Sequence, residues 1–381
     1  MNYTAVGFQP LARSLALPAA GNVTAKVNLS AGFIARAVKP SHPRLIVDAL
    51  PDQHPLQSQL PNLHVGDIID NRYVVRGLIG AGGMGVVIQA HDRVTREEVA
   101  MKITSLDHID TLEDEIEITR ILSGTKKKTN IPKLIGEGTV KAHKFGVFEY
   151  IQGRTLAEEI DRRTKISLPE ALKIISELAS VLMVAESQGI VHRDIKPENV
   201  ILRKDNGEAV LFDWGLSRKK ARDGFAFGTP DYMPPEALRG MEAGHSRDIY
   251  ALGIMLWEML NGHLPFGAAS LTGSLAILQQ LGVKENGLPP IGEMPEYNTY
   301  YNRTYALVES MTSPQREFRL QSATELKQRV DELRAKIEVV KIDIKEFERE
   351  IENLFPEPHL PAATGSITIL TPVIGVDIAP T

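Results

Sequence analysis

The chain has 381 residues, a formal net charge of −5, 43% hydrophobic residues and no cysteine. That size supports one substantial core, or two, with appendages, and the mild charge points away from nucleic acid or a membrane surface as partner. The absence of cysteine removes disulfides and thiolate metal sites and fits a reducing compartment, so the expected location is the cytoplasm.

Residues 1 to 47 hold no acid but carry Arg13, Lys26, Arg36, Lys39 and Arg44. Rich in Ala and Pro, without an Arg-rich amphipathic face, the segment reads as a disordered tail over residues 1–70 rather than an organellar transit peptide. No basic region followed by an apolar run marks a secretory signal. The most apolar stretch near the other end, "SITILTPVIGVDIAP", is too short to span a bilayer and is broken by Pro372.

From Asn71 the texture changes. "RYVVRGLIG", "GVVIQAHD" and "EEVAMKIT" are strand candidates, "DTLEDEIEITRILSG" reads as a short helix capped by Asp110 and stopped by Gly124, and "KFGVFEYI" is a further strand. Residues 71–150 therefore form a small β-rich lobe with one helix. Residues 154–330 turn helical. "SLPEALKIISELASVLMVAESQG" opens with a capping box, Ser167 and Glu170, "SRDIYALGIMLWEMLNG" is a strongly apolar, central helix, and "SATELKQRVDELR" closes the globular part. Beyond it, Leu326, Val330, Leu333, Ile337, Val340, Ile344, Phe347, Ile351 and Leu354 follow a heptad seam. Residues 331–355 are read either as a coiled coil for self-association or a partner helix, or as a helix folded back on its own domain. Residues 356–381 read as a flexible tail.

Four stretches carry chemistry. "IGAGGMGVVIQA" has Gly80, Gly82 and Gly85 in G-x-G-x-x-G spacing, which lets backbone N–H groups approach phosphates. Because a strand pattern follows, not a helix, the glycines sit in a hairpin lid rather than a dinucleotide-binding turn. Lys102 alternates out of an apolar strand and can pair with phosphate oxygens. In "VHRDIKPENVIL", Asp194 can accept a hydroxyl proton, Lys196 can stabilise a transferred phosphoryl group, and Asn199 can offer its amide oxygen to a divalent cation. Asp213 in "LFDWGLS" supplies a charged metal ligand beside Gly215, a pattern suited to Mg²⁺, with Mn²⁺ as a substitute.

Together these motifs resemble the eukaryotic-type protein kinase family over Tyr73 to Val330. The glycine loop with Met84 is most similar to bacterial Ser/Thr kinases. The resemblance implies an α+β, two-lobed fold binding ATP in its cleft. Ile79, Gly80, Gly82, Gly83 and Gly85 would then cover the nucleotide. Val87, Ala100 and Ile201 would enclose the adenine, and Glu149, Tyr150 and Ile151 would form the hinge after Phe148. It also implies that Thr229 of "GTPDYMPPE" touches Asp194 and Lys196, that Glu236 pairs with Arg319, and that Asp248 holds the catalytic loop. Lys196, two residues past Asp194, is the Ser/Thr form, so protein hydroxyls are the expected acceptors.

Three departures stand out. Asp-Trp-Gly replaces Asp-Phe-Gly, with Trp214 keeping the apolar plug. Glu115, the chosen partner of Lys102 (Glu117 being the fallback), follows it by only thirteen positions (115 − 102). It is chosen because Ile118 and Leu122 then fall on the packing face. The run Arg218 to Gly228 lacks a hydroxyl, so Asp223 is a candidate stand-in for a loop phosphate and Ser217 a candidate autophosphorylation site. Two rival readings are a pseudokinase scaffold dimerising through the C-terminal helix and a small-molecule phosphotransferase. The first predicts a missing metal or phosphate residue, whereas Lys102, Asp194, Asn199 and Asp213 are all present; the second sits poorly with Lys196 and the "GTPDYMPPE" segment.

Overall fold

Alternation in "EVAMKIT" orients the small lobe. In the computed structural model, which describes residues 63–82, 85–125, 129–217, 228–267 and 274–354, Val99, Met101 and Ile103 are fully buried with Val75, Ile88 and Val147. Ala100 and Lys102 fall on the opposite side of the pleat. The strands are β1 (Ile68–Ile69), β2 (Tyr73–Gly82), β3 (Gly85–Asp92) and β4 (Glu98–Thr104), then, after helix α1 (Ile109–Ser123), β5 (Leu134–Val140) and β6 (His143–Glu149). They form one sheet in the order β1-β2-β3-β4-β6-β5, and each pairing is antiparallel. Arg72 clamps the β2–β3 pair through the fully buried Asp92, at 2.9 and 2.6 Å.

The tail expected over residues 1–70 is too long. Leu63 and Ile69 are buried in the small-lobe core and β1 pairs with β2, because the sheet's outer strand leaves an apolar face that these residues cover. Residues 1–62 lie outside the described residues. Asp110 does not cap α1: His108 precedes the helix without a side-chain cap, and Asp110 lies in the first turn, where its charge suits the helix dipole.

The large lobe opens with β7 (Gly153–Thr155) and α2 (Leu156–Arg163), followed by α3 (Leu168–Ser187), β8 (Val200–Arg203) and β9 (Ala209–Leu211). The capping box expected at Ser167 is absent, since Glu170 is drawn away by Arg163 in a two-pronged contact of 2.7 and 2.8 Å. It forms instead at Thr155 and Glu158, at the start of α2. Then come α4 (Pro235–Leu238), α5 (Ser246–Asn261), α6 (Ser274–Lys284), α7 (Tyr301–Thr312) and α8 (Ala323–Leu354). Every residue of α5 except Glu258 is buried, the signature of a helix surrounded by others.

Helix α8 is not a separate heptad element beginning at 331. Glu186 of α3 accepts the Ala323 N–H at 3.1 Å, and Lys327, Asp331 and Ser176 form a closed side-chain triangle with contacts of 2.6 to 2.9 Å. Leu326, Val330, Leu333 and Ile337 all enter the large-lobe core, so the lobe extends past 330. The seam positions Val340, Ile344, Phe347, Ile351 and Leu354 continue along the helix, but their side chains lie outside the described ones, as do residues 355–381. Among the described residues no helix is long and apolar enough to cross a membrane. Replacing Leu333 with Ala is expected to cost about 2–5 kcal/mol in urea denaturation, as for a core leucine; an unchanged transition would put the end of the lobe before residue 331.

Candidate active site

The two lobes enclose a cleft of about 990 Å³, part of it open to solvent, lined by Ile79, Val87, Ala100, Lys102, the Glu149–Ile151 link and Ile201. Strand register puts these roof residues together: Val87 lies opposite Lys102 across β3–β4 and opposite Gly80 across β2–β3. The Glu149 carboxylate accepts from Arg203 at 2.8 Å and from the Lys133 N–H at 3.3 Å, so it ties the link to its surroundings. Gly80 and Gly82 lie in β2 and Gly85 opens β3, while Gly83 and Met84 lie outside the described residues. Gly85 has a further reason to be glycine: a Cβ there would sit 2.2 Å from the Ile103 carbonyl oxygen.

At the back of the cleft Lys102 Nζ donates to Glu115 Oε2 at 2.5 Å and to Asp213 Oδ1 at 2.7 Å. Burial opposes the ammonium's charge, but Asp213 and Glu115 outweigh it and hold the pKa above the ordinary lysine value. Burial likewise opposes Asp213's charge, and Lys102 overrides it, keeping that carboxyl low. Glu117, the alternative partner, is exposed and pairs with Arg120. The helix phase explains the choice: Leu112 and Ile116 pack on Phe148, while Ile118 and Leu122 enter the large-lobe core, leaving Glu115 aimed between the lobes. Thr119, one turn on from Glu115, also lines the cleft. It was not anticipated, although its i+4 spacing is readable.

Asp213 itself adopts a left-handed conformation, φ 65° and ψ 64°, which is unusual for a non-glycine residue and has to be held by its surroundings. Trp214 anchors the next position, 1% exposed and edge-on to His192 with ring centroids 4.5 Å apart.

The polar loop before β8 is held mostly through its backbone. Asp248, at the start of α5, accepts the His192 and Arg193 N–H groups at 2.7 and 2.9 Å. Arg247 donates to the Arg193 carbonyl at 3.0 Å, and His192 Nε2 lies 3.1 Å from the Phe212 carbonyl. Arg247 was missed by the sequence reading, its only signal being its place beside Asp248. Asp194 Oδ1 accepts both the N–H and the hydroxyl of Thr229, at 2.9 and 2.8 Å. Lys196 Nζ lies 3.1 Å from Asp194 Oδ2 and donates to Thr229 Oγ1 at 2.9 Å. Gly228, with φ 114°, brings the chain into this position, and a Cβ there would meet the Arg193 carbonyl at 2.6 Å.

Asn199 is fully buried. Its Nδ2 donates to the Asp194 carbonyl at 2.7 Å, which turns Oδ1 the other way, and that oxygen has no hydrogen-bond partner. A buried, unpartnered amide oxygen accompanied by the Asp213 carboxylate fits the oxygen donor set of a hard divalent cation.

Below the loop Glu236 and Arg319 form a buried two-pronged pair at 2.6 and 3.2 Å, with the guanidinium 4.9 Å from the Tyr250 ring centroid. Ser217 is fully buried and donates to the His192 carbonyl at 3.0 Å; a hydroxyl so enclosed is a poor phosphate acceptor. Asp223, with the rest of residues 218–227, and lysines 126–128 lie outside the described residues.

The Protein kinase domain family model matches residues 73–330. The chain belongs to the protein kinase family. Its kinase domain is 32% identical over 229 residues to the serine/threonine-protein kinase pkn3 of Myxococcus xanthus, covering 55% of this chain and 41% of that protein. It is 32% identical over 219 residues to the probable serine/threonine-protein kinase PknB of Lactococcus lactis, covering 55% and 34%. With the serine/threonine-protein kinase PrkC of Bacillus subtilis it shares 33% identity over 223 residues, covering 56% and 34%. The chain thus spans about a third to two-fifths of the length of these relatives. An Arg319→Met substitution in this kinase domain strands the Glu236 carboxylate and is expected to cost about 3–5 kcal/mol in denaturant melts, with Glu236→Leu added to it restoring part of the loss; additive losses would contradict a buried pair.

Proposed function

We propose that this kinase domain transfers the γ-phosphoryl group of ATP to serine and threonine hydroxyls of proteins. The observation that carries this reading is the shared network of Asp194, Lys196, Thr229 and Asn199, tied to the Lys102–Glu115–Asp213 cluster where the Phe212 N–H, next to Asp213, donates to the Asn199 carbonyl at 3.0 Å. The roof residues Ile79, Val87 and Ala100 and the floor residue Ile201 offer apolar faces to a flat base, and the Glu149–Ile151 link offers backbone groups at its edge. The glycine hairpin brings backbone N–H groups over the phosphates. Lys102, held charged and pointed by its two carboxylates, is a fixed cation for phosphate oxygens.

Asp194 accepts the proton of the attacking hydroxyl. Its carboxylate is oriented by Thr229 at Oδ1 and by Asn199 Nδ2, which donates to Oδ2 at 3.3 Å, so it needs no rearrangement. Lys196, beside that carboxylate, places a positive charge where the transferred group accumulates negative charge. Asn199 Oδ1 and Asp213 would hold Mg²⁺, or Mn²⁺ in its place. Bound there, the cation neutralises charge on the phosphates.

The serine/threonine preference is supported by Lys196 two residues past Asp194 and by the serine/threonine kinases to which the chain is similar. Lys102, Asp194, Asn199 and Asp213 are all present among the described residues, which speaks against a scaffold-only reading. A partner-helix role for the C-terminal seam now rests on its sequence from Val340 onward, because Leu333 and Ile337 are committed to the lobe.

With radiolabelled ATP and Mg²⁺, the wild type is expected to label itself or a generic basic protein on serine or threonine. Asp194→Asn should lower the rate by about 10²–10⁴-fold, and chelation of the cation should abolish it. Equal labelling by wild type and Asp194→Asn would refute the assignment of the base.

A further inference from the structure

Lys284 closes α6 and looks in sequence like an ordinary surface lysine beside Glu285, yet it is 1% exposed. Its phase explains why. Ile277 and Leu281 pack against Met233, Ala237, Leu238 and Ala243, and Lys284 continues that face one turn further, while Leu278 is turned to solvent. Its ammonium donates to three main-chain oxygens of one short segment: Pro230 at 2.8 Å, Asp231 at 2.5 Å and Met233 at 2.8 Å. Three acceptors match the three donors of an ammonium, so the group is fully satisfied without a carboxylate partner. The rings of Tyr250 and Phe266 flank it, with centroids 5.4 and 5.9 Å away. The segment it gathers begins one residue after Thr229, whose N–H and hydroxyl both bond Asp194.

We propose that Lys284 is a positioning residue for acceptor binding: by drawing the carbonyls of residues 230, 231 and 233 onto α6 it fixes the segment that holds Thr229 against Asp194 and Lys196 and forms the wall of the acceptor-peptide groove. The inference rests on the protein kinase reading above. It assigns Lys284 no contact with nucleotide or with the transferred group, so its loss acts on the peptide side of the reaction.

The same geometry predicts a pH dependence. Burial pushes the Lys284 ammonium down to about 7, with the charge of Asp231 opposing. Arg319, paired with Glu236, also approaches the Tyr250 ring, and Glu285, next to Lys284 in sequence, is exposed and pairs with Arg239. Within the same segment Tyr232 donates to Glu258 at 2.7 Å, and burial pushes that carboxyl up to about 7. Deprotonation of Lys284 leaves two donors for three carbonyls. Peptide binding should therefore weaken as pH rises through neutrality, and a lysine-free variant should lack that change.

The test compares wild type with Lys284→Met for peptide KM, peptide kcat and nucleotide affinity between pH 6 and 9, using a peptide with no group titrating in that range. The expected result is a rise in peptide KM of about tenfold or more at pH 6.5, nucleotide affinity unchanged, and loss of the alkaline rise in KM seen in wild type. Unchanged peptide KM with an unchanged pH profile overturns the proposal. If Lys284→Met does not fold, Glu258→Gln carries the test by removing the second group that titrates near neutrality: a peptide KM that still rises with pH supports Lys284, and a flat profile overturns it. If no form transfers phosphate, the kinase reading itself fails, and hydrogen exchange then decides the role of Lys284. Faster exchange of the Tyr232 and Met233 amides in Lys284→Met supports it, and equal exchange overturns it.

Discussion

A single ammonium group joins the two lobes at the back of the cleft. Lys102 leaves the small-lobe sheet through β4, Glu115 arrives on α1, and Asp213 follows β9 in the large lobe. Each of the three is costly to bury alone; together they are paired and hydrogen-bonded, and removing one would leave uncompensated charge in a site of low dielectric. The cluster therefore specifies how α1 sits. Its neighbours on the helix agree with it: Leu112 and Ile116 pack on Phe148, Ile118 and Leu122 on the large lobe. Because Lys102 also lies opposite Val87 in the sheet register, the position of the ammonium fixes the cleft roof at the same time.

The large lobe solves a different problem, which is to keep a highly polar loop in place without flexible side-chain contacts. Helix α5 is the support. Being buried nearly all round, it cannot shift, and its first turn presents Arg247 and Asp248 to the backbone of residues 192 and 193. Main-chain anchoring sets the loop from behind, and the side chains of Asp194, Lys196 and Asn199 are then oriented against one another and against Thr229 on its cleft side. Tyr250, one turn further along α5, is approached by both the Arg319 and the Lys284 cations, so the same helix also supports the segment that carries Thr229.

Much of this site was legible because its residues recur at short, fixed spacings: Asp194, Lys196 and Asn199 within six positions, and the glycines around one hairpin. Glu115 was legible despite its short separation from Lys102, because the apolar positions of the helix fix its phase. What escaped the sequence depends on contacts between distant segments. Glu170 has the spacing of a capping residue, but Arg163 competes for it and wins. Leu63 and Ile69 look like part of a polar-flanked tail until the sheet offers them an apolar face. The heptad pattern of α8 is real, yet its first positions match the groove on α3, and periodicity alone does not say which surface an apolar stripe meets. Lys284 is the extreme case: it continues the Ile277–Leu281 face, but a lysine there reads as a solvent-reaching side chain, and the carbonyls that satisfy it come from a segment some fifty residues away.

Glu115 holds Lys102 in position between the lobes. The most direct measurement is the phosphotransfer rate and nucleotide affinity of Glu115→Gln beside Glu117→Gln, with folding checked by thermal melts. A large loss of transfer is expected for Glu115→Gln and wild-type behaviour for Glu117→Gln. Equal effects of the two substitutions, or a loss confined to Glu117→Gln, would contradict it.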